Sequence, residues 1–291
     1  MIETTIPGPW RRWVLAARVR TLPAAAVPVV IGASLARPRP YNLGNTLLCL
    51  IVALTLQIGT NYANDYSDGV RGTDEGRVGP FRLTASRLVP AATVKRAAFA
   101  FFALASVAGL ILSIRSTWLF IPIGVSAVAA GWFYTGGPKP YGYLGLGEVF
   151  VMVYFGFVAT VGTAFAQHGR VPPGAWWWGL STGSMACALL EANNLRDVAG
   201  DQVAGKRTLA ARLGRKNGSW LYALFVGGAV LGAGLGGETL VAALALVMYI
   251  PALQLAFSIK SGRDLLPLLK QSSHAQWTVG AATALVLFVT R

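Results

Sequence analysis

The sequence predicts an all-α polytopic membrane protein, and three observations support that fold class. The chain of 291 residues is 54% hydrophobic and only 12% charged, with a mean hydropathy of +0.54. Apolar stretches close to the roughly 17–25 residues that cross a bilayer as a helix recur along the whole chain. These stretches are continuous rather than alternating, which favours helices over a barrel, since backbone groups in lipid must be bonded internally.

The apolar stretches predict nine membrane-spanning helices. The boundary between the seventh and eighth, at the segment GLGGET, is the least marked because this segment is short and carries little polarity. In chain order the predicted spans are 22–36, 43–64, 92–113, 117–134, 144–166, 175–195, 218–236, 239–258 and 275–290.

Basic residues orient these helices. With the N-terminus in the cytoplasm, most of the 25 Lys and Arg residues fall in cytoplasmic segments, as the positive-inside rule requires. We therefore expect one transmembrane domain over 1–291, with cytoplasmic loops at about 65–91 and 196–217. The Arg-, Ala- and Gly-rich composition is typical of a bacterium, which places the domain in a bacterial plasma membrane. The net charge of +14 follows from this topology and does not indicate nucleic-acid binding.

The 11 acidic residues are clustered rather than scattered. Most of them fall within 65–75 and 191–201, and each window follows the cytoplasmic end of a predicted span. Ionisable residues at membrane depth are costly and usually mark a site. The two windows therefore predict a functional site at the cytoplasmic face.

Side chains in both windows have helical spacing. In the first, Asn61, Asn64 and Asp68 continue one helix face, and Asp65 adjoins it; in the second, Asn193, Asp197 and Asp201 recur every four residues. Carboxylates on one helix face repel each other unless a cation lies between them. Hard oxygen ligands suit Mg²⁺, which is usually shared between one or two carboxylates and substrate phosphates. The pattern predicts Mg²⁺ ions that hold a diphosphate.

Basic residues follow both polar stripes and could bind the same anion, with Arg forming bidentate bonds. The alternative is that the acids and bases simply pair with one another at the interface. The basic residues are Arg71, Arg77 and Arg82 after the stripe that ends at Asp68 and Lys206, Arg207 and Arg212 after the stripe that ends at Asp201.

Two motifs carry a family resemblance. NYANDYSDGVRGTD at 61–74 and NNLRDVAGDQVAGKRT at 193–208 resemble the two aspartate-rich motifs of the UbiA superfamily of intramembrane prenyltransferases. Within that superfamily, RTLPAAAVPVVIG at 20–32 and YTGGPKPYGYLGLGE at 134–148 are most similar to the 1,4-dihydroxy-2-naphthoate polyprenyltransferases of the MenA type. GPFRLTAS at 79–86 is similar too, although Arg87 follows it where this branch would have glycine.

The resemblance implies the site residues and a magnesium cofactor. The implied metal ligands are Asn64, Asp65, Asp68, Asp74, Asp197 and Asp201. The implied catalytic residues are Asp65, Asp68, Asp197 and Asp201, together with Tyr134 and Lys139 in the loop after the fourth span. The substrate-binding residues, implied by the resemblance or by position, are Arg20, Asn61, Asn64, Arg71, Arg77, Asn193, Asn194, Lys206 and Arg207.

The implied reaction is Mg²⁺-dependent transfer of a polyprenyl group from its diphosphate to 1,4-dihydroxy-2-naphthoate, with decarboxylation, to give demethylmenaquinone. Metal and basic side chains would neutralise the leaving diphosphate, and the electron-rich ring would attack the allylic cation. Water must be excluded because it would quench that cation. The implied partners are the two substrates and the lipid bilayer.

Three alternatives are weighed against this reading. A UbiA-type enzyme could use another acceptor, such as 4-hydroxybenzoate. DYSDG at 65–69 resembles the start of the CDP-alcohol phosphotransferase motif, but the second acid pair lies far along the chain rather than in the same stretch. A secondary transporter of an anionic metabolite would place its acids near the bilayer midplane, whereas here they follow span ends on one side.

Overall fold

The computed structural model describes residues 7–35, 42–74 and 81–290. Within these ranges all regular secondary structure is helical, which confirms the predicted all-α class. Short 3-10 turns lie at Val19–Thr21, Tyr141–Leu144 and Gly262–Leu265, and a π-helix spans Met152–Val158. The α-helices are α1 Pro9–Ala16, α2 Pro23–Ser34, α3 Leu43–Val70, α4 Ala91–Arg115, α5 Phe120–Phe133, α6 Gly147–Val151, α7 Ala159–His168, α8 Ala175–Val203, α9 Leu209–Leu235, α10 Thr239–Ala256 and α11 Leu266–Thr290.

Side-chain caps set the start of two long helices. The Asn42 side-chain oxygen accepts a hydrogen bond from the Asn45 backbone N–H at 3.0 Å, which begins α3. Thr208 does the same for the Ala211 N–H at 3.2 Å, which begins α9. Each cap satisfies a donor that the first helical turn would leave without a partner. Both capped helices adjoin the motifs that carry the acids.

The chain bends between α1 and α2. The segments Pro9–Thr21 and Pro23–Ser34 meet at 53° across the 3-10 turn. Arg18 begins this turn with φ 55° and ψ 58°, a left-handed conformation that is disfavoured for residues with a Cβ. The bend therefore holds the Arg18 backbone in a conformation better suited to glycine.

The π-helix packs closely against α8. A Cβ on Gly156 would come within 2.6 Å of the Gly179 carbonyl oxygen and 2.8 Å of the Gly183 Cα. Only glycine permits this approach, so the two helix backbones touch. A π-turn inside a longer helix often accompanies a functional site, and α8 carries the second acidic window.

Two apolar clusters hold the helices that carry the acidic windows. One is centred on α8 and includes the fully buried rings of Trp178, Tyr222 and Tyr249 from α8, α9 and α10. Tyr222 also shares a 2.7 Å hydrogen bond with Ser272 of α11. The other cluster joins α3 to α4 and to the end of α1. Each acidic window is thus fixed by its own packed partners.

Each of the nine predicted spans overlaps a helical segment, but nine membrane crossings are not established. Judged by length and hydropathy, five helices of the described chain could cross a membrane, or six if the bent α1–α2 pair is one span. The α5 helix is apolar but has only 14 residues. The side of the membrane on which the N-terminus lies stays a prediction.

Both predicted cytoplasmic loops are shorter than 65–91 and 196–217. The α3 helix continues to Val70 and α8 to Val203, so the acids up to Asp68 and Asp201 lie on helices. The polar motif marked the end of the apolar run rather than the end of the helix. A polar stripe with helical spacing can face an internal cavity. Part of each stripe lines such a cavity in the structure.

Candidate active site

Two adjoining cavities lie where α3 and α8 face each other. The polar cavity has a volume of about 420 Å³, and the apolar cavity has a volume of about 260 Å³. The apolar cavity is lined mainly by aliphatic and aromatic residues of α2, α3, α5, the π-helix and α7. The charged and amide side chains that line the polar cavity are Arg18, Arg20, Asn64, Asp68, Arg82, Asn193, Asn194, Arg196, Asp201 and Lys206.

The two cavities adjoin each other and share part of their lining. Six residues line both, and we call them the junction: Arg18, Thr21, Asn64, Tyr134, Leu190 and Asn193. Within the junction, Thr135 next to Tyr134 donates a hydrogen bond of 2.7 Å to the Asn64 side-chain oxygen. A ligand with an anionic head and an apolar tail could therefore occupy both cavities at once.

Asp68 is the acid of the first window that faces the polar cavity. Its Oδ2 lies 3.1 Å from Nζ of Lys206, and its Oδ1 accepts a hydrogen bond of 2.5 Å from the Tyr143 hydroxyl. Burial and then the Asp68 charge raise the pKa of the Tyr143 hydroxyl, so this group stays a proton donor. The structure thus brings together Asp68 and Lys206, two predicted site residues from distant parts of the chain.

Asp65 and Asp74 have other partners and do not line the polar cavity. Both oxygens of Asp65 accept backbone N–H groups, from Leu83 at 2.9 Å and from Thr84 at 2.8 Å. Asp74 pairs with Arg82 at 3.2 Å. These contacts place Arg82 in the cavity lining, so the two acids order the segment that follows the first motif.

The second window is divided in a similar way. Asp201 is buried and lines the polar cavity, whereas Asp197 does not. Arg196 donates two bonds to Asp197, from Nε to Oδ1 at 2.8 Å and from Nη2 to Oδ2 at 2.7 Å. Such a bidentate pair fixes the guanidinium plane. Because Arg196 itself lines the cavity, Asp197 acts on the cavity through Arg196.

Two buried acids, Glu148 and Glu191, contact each other beside the polar cavity. Asn194 lines the cavity and donates from Nδ2 to Glu148 Oε1 at 2.9 Å. Glu191 is completely buried, and its carboxyl lies against that of Glu148. The Glu148 contact therefore fixes the side-chain amide of Asn194 at the cavity lining.

Lys139 and Arg71, two predicted site residues, line neither cavity. The predicted pair of Tyr134 and Lys139 is divided: Tyr134 lies at the junction, but Lys139 is exposed and outside both cavity linings. The chain turns at Gly137, which has φ 73°, and this turn separates the two side chains. Arg71 donates to the backbone carbonyls of Thr135 and Gly137, so it stabilises this turn rather than lining the polar cavity.

The other predicted binding residues are scattered around the site. Arg207 is exposed and outside the cavity lining, and Arg20 is exposed at the rim of the polar cavity. Asn61 lines only the apolar cavity and donates to the Ala17 carbonyl at 2.9 Å. Arg77 lies outside the described residues.

The sequence predicts Tyr143 near the cavity mouth, as an aromatic ring that could stabilise a cation, and the structure places it in the polar cavity lining. Its hydroxyl contact with Asp68 was not predicted, because this contact depends on folding. The sequence analysis assigned no role to Arg18, which lies in the bend before RTLP and whose left-handed backbone has no signature in the sequence.

An interior cavity that combines acids with bases beside an apolar cavity is typical of a membrane protein that binds an amphiphilic anion. The chain belongs to the UbiA prenyltransferase family, whose model matches residues 25–279. The resemblance seen in the two acidic motifs is therefore confirmed, and the protein is a prenyltransferase.

Curated relatives and solved structures agree with this assignment. The chain is 44% identical over 285 residues to a 1,4-dihydroxy-2-naphthoate octaprenyltransferase of Mycobacterium tuberculosis, covering 94% of this chain and 96% of the relative. The relative of the same name in Escherichia coli is 34% identical, covering 75% of this chain and 74% of its own. A UbiA homologue from Archaeoglobus fulgidus bound to GPP and Mg²⁺ has the same fold, with a TM-score of 0.70 at 11% identity, covering 96% of this chain and 99% of its own.

Proposed function

We propose that this protein transfers a polyprenyl group from its diphosphate to 1,4-dihydroxy-2-naphthoate, with loss of CO₂, to give demethylmenaquinol, the reduced form of demethylmenaquinone, in menaquinone biosynthesis. The observation that carries the proposal is the junction, where a polar cavity suited to a diphosphate meets an apolar cavity suited to a prenyl tail. The names of the relatives at 44% and 34% identity support the choice of acceptor. We place the enzyme in a bacterial plasma membrane as one domain of nine spans, with the N-terminus in the cytoplasm.

The polar cavity suits Mg²⁺ bound together with a diphosphate. No group of three or more His, Cys, Asp or Glu side chains that could hold a metal occurs in the described ranges, but Mg²⁺ usually needs only one or two carboxylates when phosphates complete its coordination. Asn64, Asp68 and Asp201 supply hard oxygen atoms from α3 and α8 to this one cavity. When bound there, Mg²⁺ would neutralise charge on the leaving diphosphate. We assign Asp65, Asp74 and Asp197 to the support of this set.

The side chains of the polar cavity bind the leaving group. Lys206 and Arg82 place positive charge where the diphosphate develops negative charge as the allylic C–O bond breaks. The electrons of that bond leave with the diphosphate, and the positive charge stays on the allylic carbons. Tyr143, hydrogen-bonded to Asp68, orients this acid toward the cavity.

The junction orients the acceptor and excludes water. The Tyr134 ring at the junction can stabilise the allylic cation through its face. The naphthoate ring attacks the cation, a carbon–carbon bond forms, and the bond to the carboxylate carbon then breaks to release CO₂. The buried lining reduces access of water, which would otherwise capture the cation.

A product assay tests the proposal. Purified protein in detergent with added lipid receives a polyprenyl diphosphate, Mg²⁺ and either 1,4-dihydroxy-2-naphthoate or 4-hydroxybenzoate, with parallel samples in EDTA. We expect a prenylated, decarboxylated naphthoquinol whose formation stops in EDTA. Product with 4-hydroxybenzoate alone would overturn the acceptor, and product in EDTA would overturn the metal assignment.

A second readout separates an enzyme from a transporter. Release of diphosphate should require both the acceptor and the prenyl donor. If the protein moved either compound across the membrane of proteoliposomes without releasing diphosphate, its activity would be transport.

A further inference from the structure

We infer that Gln57 of α3 binds a ring hydroxyl of the aromatic acceptor and so selects hydroxylated acceptors. This inference rests on the proposed function, because it assigns one residue to the second substrate of that reaction. Gln57 is half-buried and lines the apolar cavity but not the polar cavity. Its amide is thus a polar group on a mainly apolar wall.

The Gln57 amide lies beside the place where the allylic cation forms. With the diphosphate in the polar cavity and the prenyl tail in the apolar cavity, the bond between them crosses the junction. Nε2 of Gln57 donates a hydrogen bond of 3.0 Å to Oγ1 of Thr21, which is one of the junction residues. An acceptor ring that attacks the allylic carbon therefore comes within reach of this amide.

Hydrogen bonds at the bend between α1 and α2 fix the orientation of the Gln57 amide. The Thr21 hydroxyl donates to the Arg18 carbonyl at 2.8 Å. It accepts from the Gln57 amide and, at 3.3 Å, from Nδ2 of Asn61. A hydroxyl has one proton to donate and two lone pairs, so Thr21 has no donor left for a ligand. The amide nitrogen of Gln57 faces the bend, which leaves the carbonyl oxygen to contact a ligand.

The carbonyl oxygen of Gln57 has no hydrogen-bond donor among the residues that the structure describes. An amide oxygen can only accept a hydrogen bond, and a polar group on an apolar wall is unfavourable unless it is paired. A ligand hydroxyl supplies the matching donor, whereas a quinone carbonyl or an ether oxygen does not. The class of acceptor that fits this position is a phenol or a hydroquinone.

The same hydrogen bond assists the attack of the ring. The hydroxyl oxygen gains electron density as its proton is drawn toward the Gln57 oxygen, and this density passes to the ring carbon that attacks the cation. The ring becomes positive as the carbon–carbon bond forms, so its hydroxyl becomes a stronger donor. The interaction is then stronger in the transition state than in the ground state, which accelerates the reaction. The proton stays on the hydroxyl, and the product keeps both hydroxyls.

The test compares acceptors that differ in one ring hydroxyl. KM is measured for 1,4-dihydroxy-2-naphthoate, and inhibition constants are measured for 1-hydroxy-2-naphthoate and 4-hydroxy-2-naphthoate as its competitors. Gln57→Met removes the amide at similar length, and Gln57→Glu keeps an oxygen that can accept. Gln202→Met is the matched control, because Gln202 is exposed, lines neither cavity and loses one hydrogen bond, from Nε2 to the Ala211 carbonyl at 2.9 Å.

In the wild type we expect one of the two analogues to bind about 5- to 100-fold more weakly than the naphthoate, the range for a buried polar group left without its partner. Gln57→Met should raise KM for the naphthoate by a similar factor and change the inhibition constant of that analogue less than about threefold. Gln57→Glu should preserve the ratio between the two, because a carboxylate also accepts from the hydroxyl. KM for the prenyl diphosphate should change less than about threefold in both variants.

Equal binding of all three acceptors by the wild type would refute the inference without any variant. An equal loss for all three in Gln57→Met would show that Gln57 only ties α3 to the bend. Both variants must retain the thermal transition of the wild type, and if Gln57→Met unfolds, loss of the wild-type ratio in Gln57→Glu would refute the inference. Failure of the wild type to prenylate the naphthoate would refute the proposed function itself.

Discussion

In each acidic window one carboxylate lines the polar cavity and the preceding one does not: Asp68 and Asp65 in the first window, Asp201 and Asp197 in the second. The two acids that do not line the cavity have different kinds of hydrogen-bond partner. In the first window backbone N–H groups of Leu83 and Thr84 hold Asp65; in the second the side chain of Arg196 holds Asp197. The first arrangement orders a loop and the second orients a cation. Acids with the same helical spacing therefore need not have the same role.

The largest effect is expected when an acid that faces the cavity loses its charge. Asp68→Asn and Asp201→Asn should each lower kcat/KM about 10²- to 10³-fold, the typical loss when one group stabilising transition-state charge is removed. Asp68→Asn should also lower the midpoint of thermal unfolding, because Lys206 then loses a buried carboxylate partner at 3.1 Å. The half-saturating Mg²⁺ concentration should rise in both variants, measured by turnover against added metal.

Asp264→Asn is the matched control for these two variants, because Asp264 is exposed and lines neither cavity. An equal loss in this control would show a general effect of charge. Wild-type turnover in Asp68→Asn would remove this acid from the metal site.

A smaller loss of activity is expected for Asp197→Asn. Loss of one partner of a buried ion pair costs about 3–5 kcal/mol of stability, and Arg196 would lose its fixed orientation. Turnover should fall less than in Asp201→Asn, whereas the midpoint of thermal unfolding should fall more. Full stability together with complete loss of activity in Asp197→Asn would contradict the difference between Asp197 and Asp201. Asp197 would then act directly on substrate or metal.

Asp65→Asn should act mainly on the loop. An amide can accept only one of the two backbone N–H groups that Asp65 now accepts, so an unsatisfied donor costs about 1–3 kcal/mol. Cleavage by a protease within 81–89 should become faster, and turnover should fall only through displacement of Arg82. Asp65→Ala should accelerate cleavage further. Unchanged protection of this loop in both variants would contradict the structural role.

The smallest effect is expected at Arg87, which is exposed and has φ 59°. The left-handed conformation favours glycine, the residue that the related branch would have here. Arg87→Gly should raise the free energy of unfolding by no more than about 1 kcal/mol, since relief of strain is partly offset by the entropy of the unfolded chain. Turnover should not change. A clear loss of stability in a denaturant titration would show that the Arg87 side chain makes a contact of its own.

The sequence predicted the positions of the helices and the family, because long apolar runs and two acidic motifs are strong local signals. The ends of α3 and α8 were predicted only in part, because helical spacing continues to Asp68 and Asp201 although the apolar runs end earlier. The nine predicted spans overlap helical segments, but in the described part of the chain length and hydropathy support five or six crossings.

The sequence could not predict which acid of each motif lines the polar cavity and which one has other partners. Asp65 and Asp68 are less than one turn apart, and only the loop at Leu83 and Thr84 decides which one faces the cavity. Arg18, and not the predicted Arg20, lines both cavities for a similar reason, because the left-handed backbone at Arg18 changes the direction of the side chains that follow. Contacts between distant segments determine which side chains face the cavity. The spacing of residues along the chain does not predict those contacts.

The small volume of the apolar cavity has a consequence for product length. At about 260 Å³ it lies below the roughly 300–1,000 Å³ of a typical pocket for a drug-sized ligand, so it would enclose only the part of a long polyprenyl chain nearest the diphosphate. The remainder of such a chain would lie outside this cavity. We therefore expect the cavity to accept donors of different chain length rather than to select one.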